Sequence, residues 1–228
     1  IGGIMISDIL KERIMVLDGA MGTMIQDYNL SEEDYRGERF ANIEQQVKGN
    51  HDLLSITKPE VITEIHHAFF EAGADFATTN SFNSTRISMA DYQMEGLVHE
   101  MNVKSAQLAK KAAEAYTAKT PHKPRFALGT LGPTNKTASV SPDVNQPAYR
   151  AVSFDDLKDA YYEQVSGLVE GGIDVLIIET IFDTLNAKAA LYAIQEYNEN
   201  NGTNVPVMVS GTITDASGRT FTGQMLEA

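Results

Sequence analysis

Three short apolar runs end in polar residues whose types suit the binding of a small charged ligand. Arg13-Ile-Met-Val-Leu17 stops at Asp18-Gly19, Asp75–Thr79 leads into Asn80-Ser81-Phe82, and Val175-Leu-Ile-Ile178 stops at Glu179-Thr180. A carboxylate at the end of an apolar run is costly to ionise unless a cation or hydrogen-bond donors meet it. For Glu179 the partner is either a ligand ammonium or a buried Lys or Arg of the protein itself, with a general-base role as a further option. At Asp18 the following glycine lets a ligand approach the backbone, whose N–H can meet a carboxylate. The alternative there is a tight turn capped by the Asp. Taken together, Asp18, Gly19 and Glu179 fit an amino-acid cradle, with carboxylates for the ammonium and backbone N–H groups for the carboxylate.

Other chemistries lack their residues. Gly19-Ala-Met-Gly22 is neither G-x-G-x-x-G nor followed by Lys-Ser/Thr, so the nucleotide-binding motifs fail. Five histidines form no metal set: His66 and His67 are neighbours on a helix, and Glu95 with His99 reads as an exposed i,i+4 pair. No Ser-His-Asp arrangement stands out. An aldolase would need a Schiff-base lysine at a strand end, and the nearest, Lys136, lies in a loop. That loop, Gly132–Val144, is long and polar, and with Asn135 and the turn Asp215–Arg219 it is either a rim contact or a surface excursion.

The elements that must position these residues alternate. Apolar, β-branched runs at 13–17, 75–79, 125–129, 174–178 and 205–210 read as buried strands. Helical periods fill the gaps over 59–72, 91–116, 183–197 and onward from Phe154, with Thr57-Lys-Pro-Glu60 and Ser153-Phe-Asp-Asp156 as capping boxes. Phe70-Glu-Ala-Gly-Ala-Asp75 and Val169-Glu-Gly-Gly-Ile-Asp174 share one layout of helix end, glycine turn, Asp and strand. The fold class predicted is α/β, a (β/α)8 TIM barrel of which this chain holds about the first five strands. All the polar strand ends then open on one face. A complete barrel takes about 250 residues, so the chain is expected to be an N-terminal piece of a longer protein.

Composition narrows the partners. Eighteen Lys and Arg against 31 Asp and Glu give a formal charge of -13, which disfavours nucleic acid and anionic membrane surfaces. No apolar run reaches the ~18 residues of a membrane span, and a cytoplasmic protein is expected. With no cysteine, the chain offers neither disulfides nor thiolate metal ligands.

The blocks LDGAMGTMIQ, RGERF, KGNHDLL, AGAD, TNSFNST, LGPTNKTASVSPDV, EGGIDVLIIETIFDTLNAKAA and SGTITDASGRTFTGQ closely resemble the N-terminal homocysteine-binding domain of cobalamin-dependent methionine synthases. The resemblance runs over nearly all of residues 1–228, which would form the N-terminal part of that barrel, without its remainder or the folate, cobalamin and activation domains. It implies methyl transfer from methylcobalamin to homocysteine, giving methionine, with 5-methyltetrahydrofolate remethylating the cobalamin. It also implies that Asp18 and Gly19 contact the homocysteine amino and carboxylate groups, that Glu179 contacts the ammonium, and that Asn80, Ser81 and Phe82 line the pocket. The family's zinc is held by three cysteines, which would lie beyond Ala228. Neither zinc nor methylcobalamin is therefore expected to bind this stretch tightly, and alone it is expected to be inactive. The competing reading is a catalytically silent amino-acid-binding barrel fragment or module.

Overall fold

The computed structural model describes residues 6–225 and 227. Helix α1 (Ile6–Glu12) leads into an irregular segment, then α2 (Met21–Asp27), α3 (Glu32–Arg36), α4 (Leu54–Thr57) and α5 (Pro59–Glu71). Strand β1 (Phe76–Thr78) is followed by α6 (Arg86–Met89) and α7 (Val98–Lys119), then β2 (Phe126–Leu131), α8 (Phe154–Glu170), β3 (Val175–Ile181), α9 (Thr184–Asn201) and β4 (Val207–Gly211). The four strands make one parallel sheet in the order β1-β2-β3-β4.

Period-2 alternation assigns the two faces. Ala77 and Ala127 pack with Phe70, Ala109, Ala113 and Tyr116 of α5 and α7, and Leu131, Leu176 and Ile178 pack with α8 and α9. On the opposite face Phe76, Phe126, Leu128, Val175 and Ile177 form a separate cluster against Ile6, Ile9 and Met15. Helices α7 and α8 lie very close: a Cβ on Gly167 or Gly171 would come within 2.7 Å of Asn102 or 2.4 Å of Ala106. Only hydrogen fits there.

The two α-to-β junctions are built alike, as their sequences suggest. Each glycine turn has a positive φ, 108° at Gly73 and 93° at Gly172, where glycine avoids the cost of a Cβ. Each following Asp then makes the same pair of bonds to the chain beside it. Asp75 N–H donates to Val16 O and its carboxylate accepts from Val16 N–H, both at 2.8 Å. Asp174 N–H donates to Ala127 O at 2.9 Å and its carboxylate accepts from Ala127 N–H at 2.8 Å. Cations complete both, Arg13 on Asp75 and Lys110 on Asp174.

Two local expectations are corrected. The segment 13–17 is not a strand, and Ile14, Val16 and Leu17 are 87%, 54% and 42% exposed. It runs beside β1 with backbone bonds only at Val16 O, which accepts from Asp75 and Phe76 N–H; carboxylates take the next donors, Asp75 the Val16 N–H and Asp18 the Thr78 N–H, where backbone carbonyls would extend a ladder. The chain therefore shows four strands among the described residues. The Thr57 capping box is also absent. Lys58 is the N-cap of α5 with no side-chain bond, Pro59 supplies the pre-set first turn, and the Thr57 hydroxyl donates to Leu53 O. The box at Ser153 and Asp156 forms in full.

Candidate functional site

A cavity of about 480 Å³ lies at the C-terminal end of the sheet. Asp18, Gly19, Asn80, Phe82 and Glu179 line it, together with Leu17, Met21, His51, Asp52, Thr78, Thr130, Ile177 and Ser210. Alternation explains the set. Thr78, Thr130 and Glu179 continue the columns begun by Phe76, by Phe126 and Leu128, and by Val175 and Ile177, so a polar layer stands directly on an apolar one.

Asp18 accepts from Thr78 N–H at 2.8 Å and from the Thr78 hydroxyl at 3.0 Å. Burial nevertheless dominates and pushes its pKa up to about 6, with the Thr78 donors opposing and the negative charge of Glu179 adding to the rise. Burial also raises Glu179, against the Thr180 and Thr130 hydroxyls. No sound hydrogen bond joins Thr130 to Glu179: the Thr130 hydroxyl, although near enough to act on the carboxylate, is buried and has no protein partner. No cation figures among the influences on either carboxylate, so the buried salt bridge considered for Glu179 is not found among the described residues. Among the described residues no Lys or Arg lines the cavity.

Glu179 sits in a bulge. Strand pairing runs Ile178 to Val209 and then Ile181 to Gly211, so three steps on β3 match two on β4. Thr180 takes up the difference with φ at 53°.

The surrounding loops are pinned by buried polar groups. Asp52 accepts from Asn83 N–H at 2.8 Å and the Ser84 hydroxyl at 2.7 Å, and burial pushes its pKa up to about 6. Asn80 donates to His51 O at 2.8 Å and Ser55 Oγ at 3.2 Å. His51 Nδ1 meets the Tyr35 hydroxyl at 2.8 Å, and burial lowers its pKa, favouring the neutral ring. Phe82 owes its place to Gly132, whose Cβ would fall 2.4 Å from Phe82 O. Gly19 has a packing reason of its own: a Cβ there would lie 2.8 Å from the Phe69 ring of α5.

Other sequence candidates lie elsewhere. Ser81 is fully buried, bonds Thr79 and Thr130 O, and is not among the lining residues. Asn135 donates to Asp91 at 2.8 Å on the surface. The 132–144 loop is tied to the start of α9 through Ser139 on Asp183 and Ala138 on Asn186. Asp215 and Arg219 serve their own turn. His99 pairs with Glu170 at 2.9 Å rather than with Glu95. His51, Asp52, Thr78 and Thr130 were the lining residues that motif reading passed over, although strict alternation from Phe76 and Phe126 reaches both threonines. A larger open groove of about 810 Å³ follows α9 past Leu191, Tyr192, Val205 and Val207, with no converging pair of carboxylates.

Among the described residues no group of three or more His, Cys, Asp or Glu is placed to hold a metal. The donor set here does not fit a thiolate-bound zinc.

Residues 15–228 match the sequence profile of the homocysteine S-methyltransferases. The chain belongs to that family. Its members are methyltransferases with homocysteine as the methyl acceptor. Among solved structures it is similar to the homocysteine methyltransferase MmuM from Escherichia coli. The metallated form has a TM-score of 0.72 and 24% identity, over 96% of this chain and 70% of that one. The oxidised form gives 0.71 and 24%, over 95% and 68%. At that identity the likeness speaks for the fold alone, a parallel α/β arrangement. No described helix is long and apolar enough to cross a membrane.

Proposed function

We propose that this chain is the homocysteine-cradling portion of a cobalamin-dependent methionine synthase, folded as part of a (β/α)8 barrel. The observation that carries the reading is the pair of part-buried carboxylates, Asp18 and Glu179, facing one cavity without a protein cation. An ammonium is the charge that would make both comfortable. A homocysteine bound there places its ammonium between Glu179 and the free lone pairs of Asp18. The Gly19 backbone lies beside its carboxylate, and Asn80 and Phe82 close the side wall.

The residues of this chain bind and orient; they do not activate the thiol. A free thiol has a pKa of about 8.5 and is only a few per cent thiolate near neutrality. Zinc supplies that activation in the family, and its thiolate ligands are not among these residues, so no chemical step is assigned to them. The second reading is an amino-acid-binding module without chemistry, which the same two carboxylates would serve. Methionine production from homocysteine and methylcobalamin by the full-length protein separates the two. Turnover supports the synthase, and homocysteine binding without turnover supports the module.

A further inference from the structure

Glu179 is the last residue of β3 in regular alternation, and the strand departs from it one residue further on. Ile178 and Ile181 both pack in the helix-side cluster, although they stand three positions apart and a regular strand would turn them to opposite faces. The extra residue is absorbed by Thr180, whose φ of 53° is a left-handed value that a β-branched side chain adopts only under strain. Nothing nearby offsets that strain with a strong bond: the Thr180 hydroxyl reaches Glu179 Oε2 at 3.5 Å, too long to count for much. Strain of this kind persists where the surrounding structure requires the conformation, and β-bulges serve to re-aim a side chain.

We infer that Thr180 is a positioning residue: its left-handed bulge sets the direction in which Glu179 meets the ammonium of the bound amino acid. The inference rests on the homocysteine reading above. Deleting Thr180 provides a clean alternative backbone. With it gone, Val175, Ile177 and Glu179 remain on the cavity face while Leu176, Ile178 and the former Ile181 remain on the helix side, so packing is kept and only the bulge is lost. Thr180→Gly is the complementary variant, since glycine adopts the same φ without strain.

The test is calorimetric titration of the full-length protein with L-homocysteine, using the parent, Glu179→Gln, the Thr180 deletion, the deletion combined with Glu179→Gln, and Thr180→Gly. Glu179→Gln and the deletion should each weaken binding about tenfold or more, the size of a lost charged hydrogen bond. The combined variant should be no weaker than Glu179→Gln alone, because both remove one contact. Thr180→Gly should bind within about threefold of the parent, a small fraction of that loss. Weak binding by Glu179→Gln with parental affinity in the deletion overturns the inference and leaves the homocysteine reading standing. Parental affinity in both overturns the reading and the inference together. If the deletion does not fold, Thr180→Pro takes its place, because proline's fixed negative φ also forbids the left-handed bulge: a loss as large as that of Glu179→Gln, with affinity retained in Thr180→Gly, upholds the inference, and parental affinity in Thr180→Pro overturns it.

Discussion

The carboxylate of Asp18 closes over the end of β1 by taking both the N–H and the hydroxyl of Thr78, at 2.8 and 3.0 Å. One side chain thus does what a neighbouring strand would do, and it does so at the edge of the cavity. Asp18 is a structural cap and a cavity carboxylate at once. The two roles compete for its charge, since burial and Glu179 resist ionisation while Thr78 favours it.

That competition sets a pH dependence. The folded pKa of Asp18, about 6, exceeds its ordinary 3.8, so folding takes up a proton between those values. The resulting stabilisation is complete below about pH 4 and lost as the pH rises through about 6. In the ligand-free protein Asp18→Asn should therefore unfold at higher temperature than the parent at pH 7. The gain should be about 1 kcal/mol, discounted for solvent screening because the carboxylate is only partly buried. It should shrink as the pH falls below 6. A gap that stays constant with pH, or a less stable variant at pH 7, contradicts this assignment.

Gly19 is held by packing as well as by its place in the cavity. Gly19→Ala should press on the Phe69 ring and cost about 1–3 kcal/mol by urea denaturation. Phe69→Leu in the same chain should return part of the loss. Undiminished stability in Gly19→Ala would show that the ring moves aside freely.

His66 is fully buried in α5 with neither ring nitrogen partnered by the protein, and burial lowers its pKa to about 4. Because that value lies below the ordinary 6.5, the unfolded chain takes up the proton first, and stability is lost as the pH falls from about 6.5 to 4. His66→Leu removes both the unpaired polar group and this acid sensitivity. It should raise stability by about 1 kcal/mol at pH 7 and by more at pH 5. Destabilisation at pH 7 would mean that the ring nitrogens are satisfied after all.

Zinc titrated into the 228-residue chain with a metallochromic dye should show no tight, stoichiometric site. The physical reason is that the chain holds no thiol, and among the described residues no three His, Asp or Glu side chains gather to replace one. A tight one-to-one site would contradict the expectation and require an oxygen and nitrogen donor set.

Much of the sheet and its helices was legible because apolar periodicity reports burial. The runs at 125–129 and 174–178 became β2 and β3 because both of their faces are covered. The run at 13–17 looked identical as text yet is exposed and not a strand, because Asp75 takes its Val16 N–H and Asp18 takes the Thr78 N–H of β1 beside it. Sequence periodicity does not show which groups a side chain will capture. The same limit applies to the cavity. Asp18 and Glu179 stood out as carboxylates ending apolar runs, whereas His51 and Asp52 arrive from a 3₁₀ turn whose place beside β1 is a long-range contact. Ser81 shows the converse, a residue next to lining residues whose hydroxyl bonds inward instead. The bulge at Thr180 left no mark in the text beyond a polar residue in an apolar run.

The central claim is that Asp18 and Glu179 form the site for an amino-acid ammonium. The most direct measurement is isothermal calorimetry of L-homocysteine against the full-length protein and its Glu179→Gln variant at pH 7.5. Affinity should be lower by about tenfold or more in the variant, as expected for a lost charge-assisted contact. Equal affinity in the two proteins would contradict the claim.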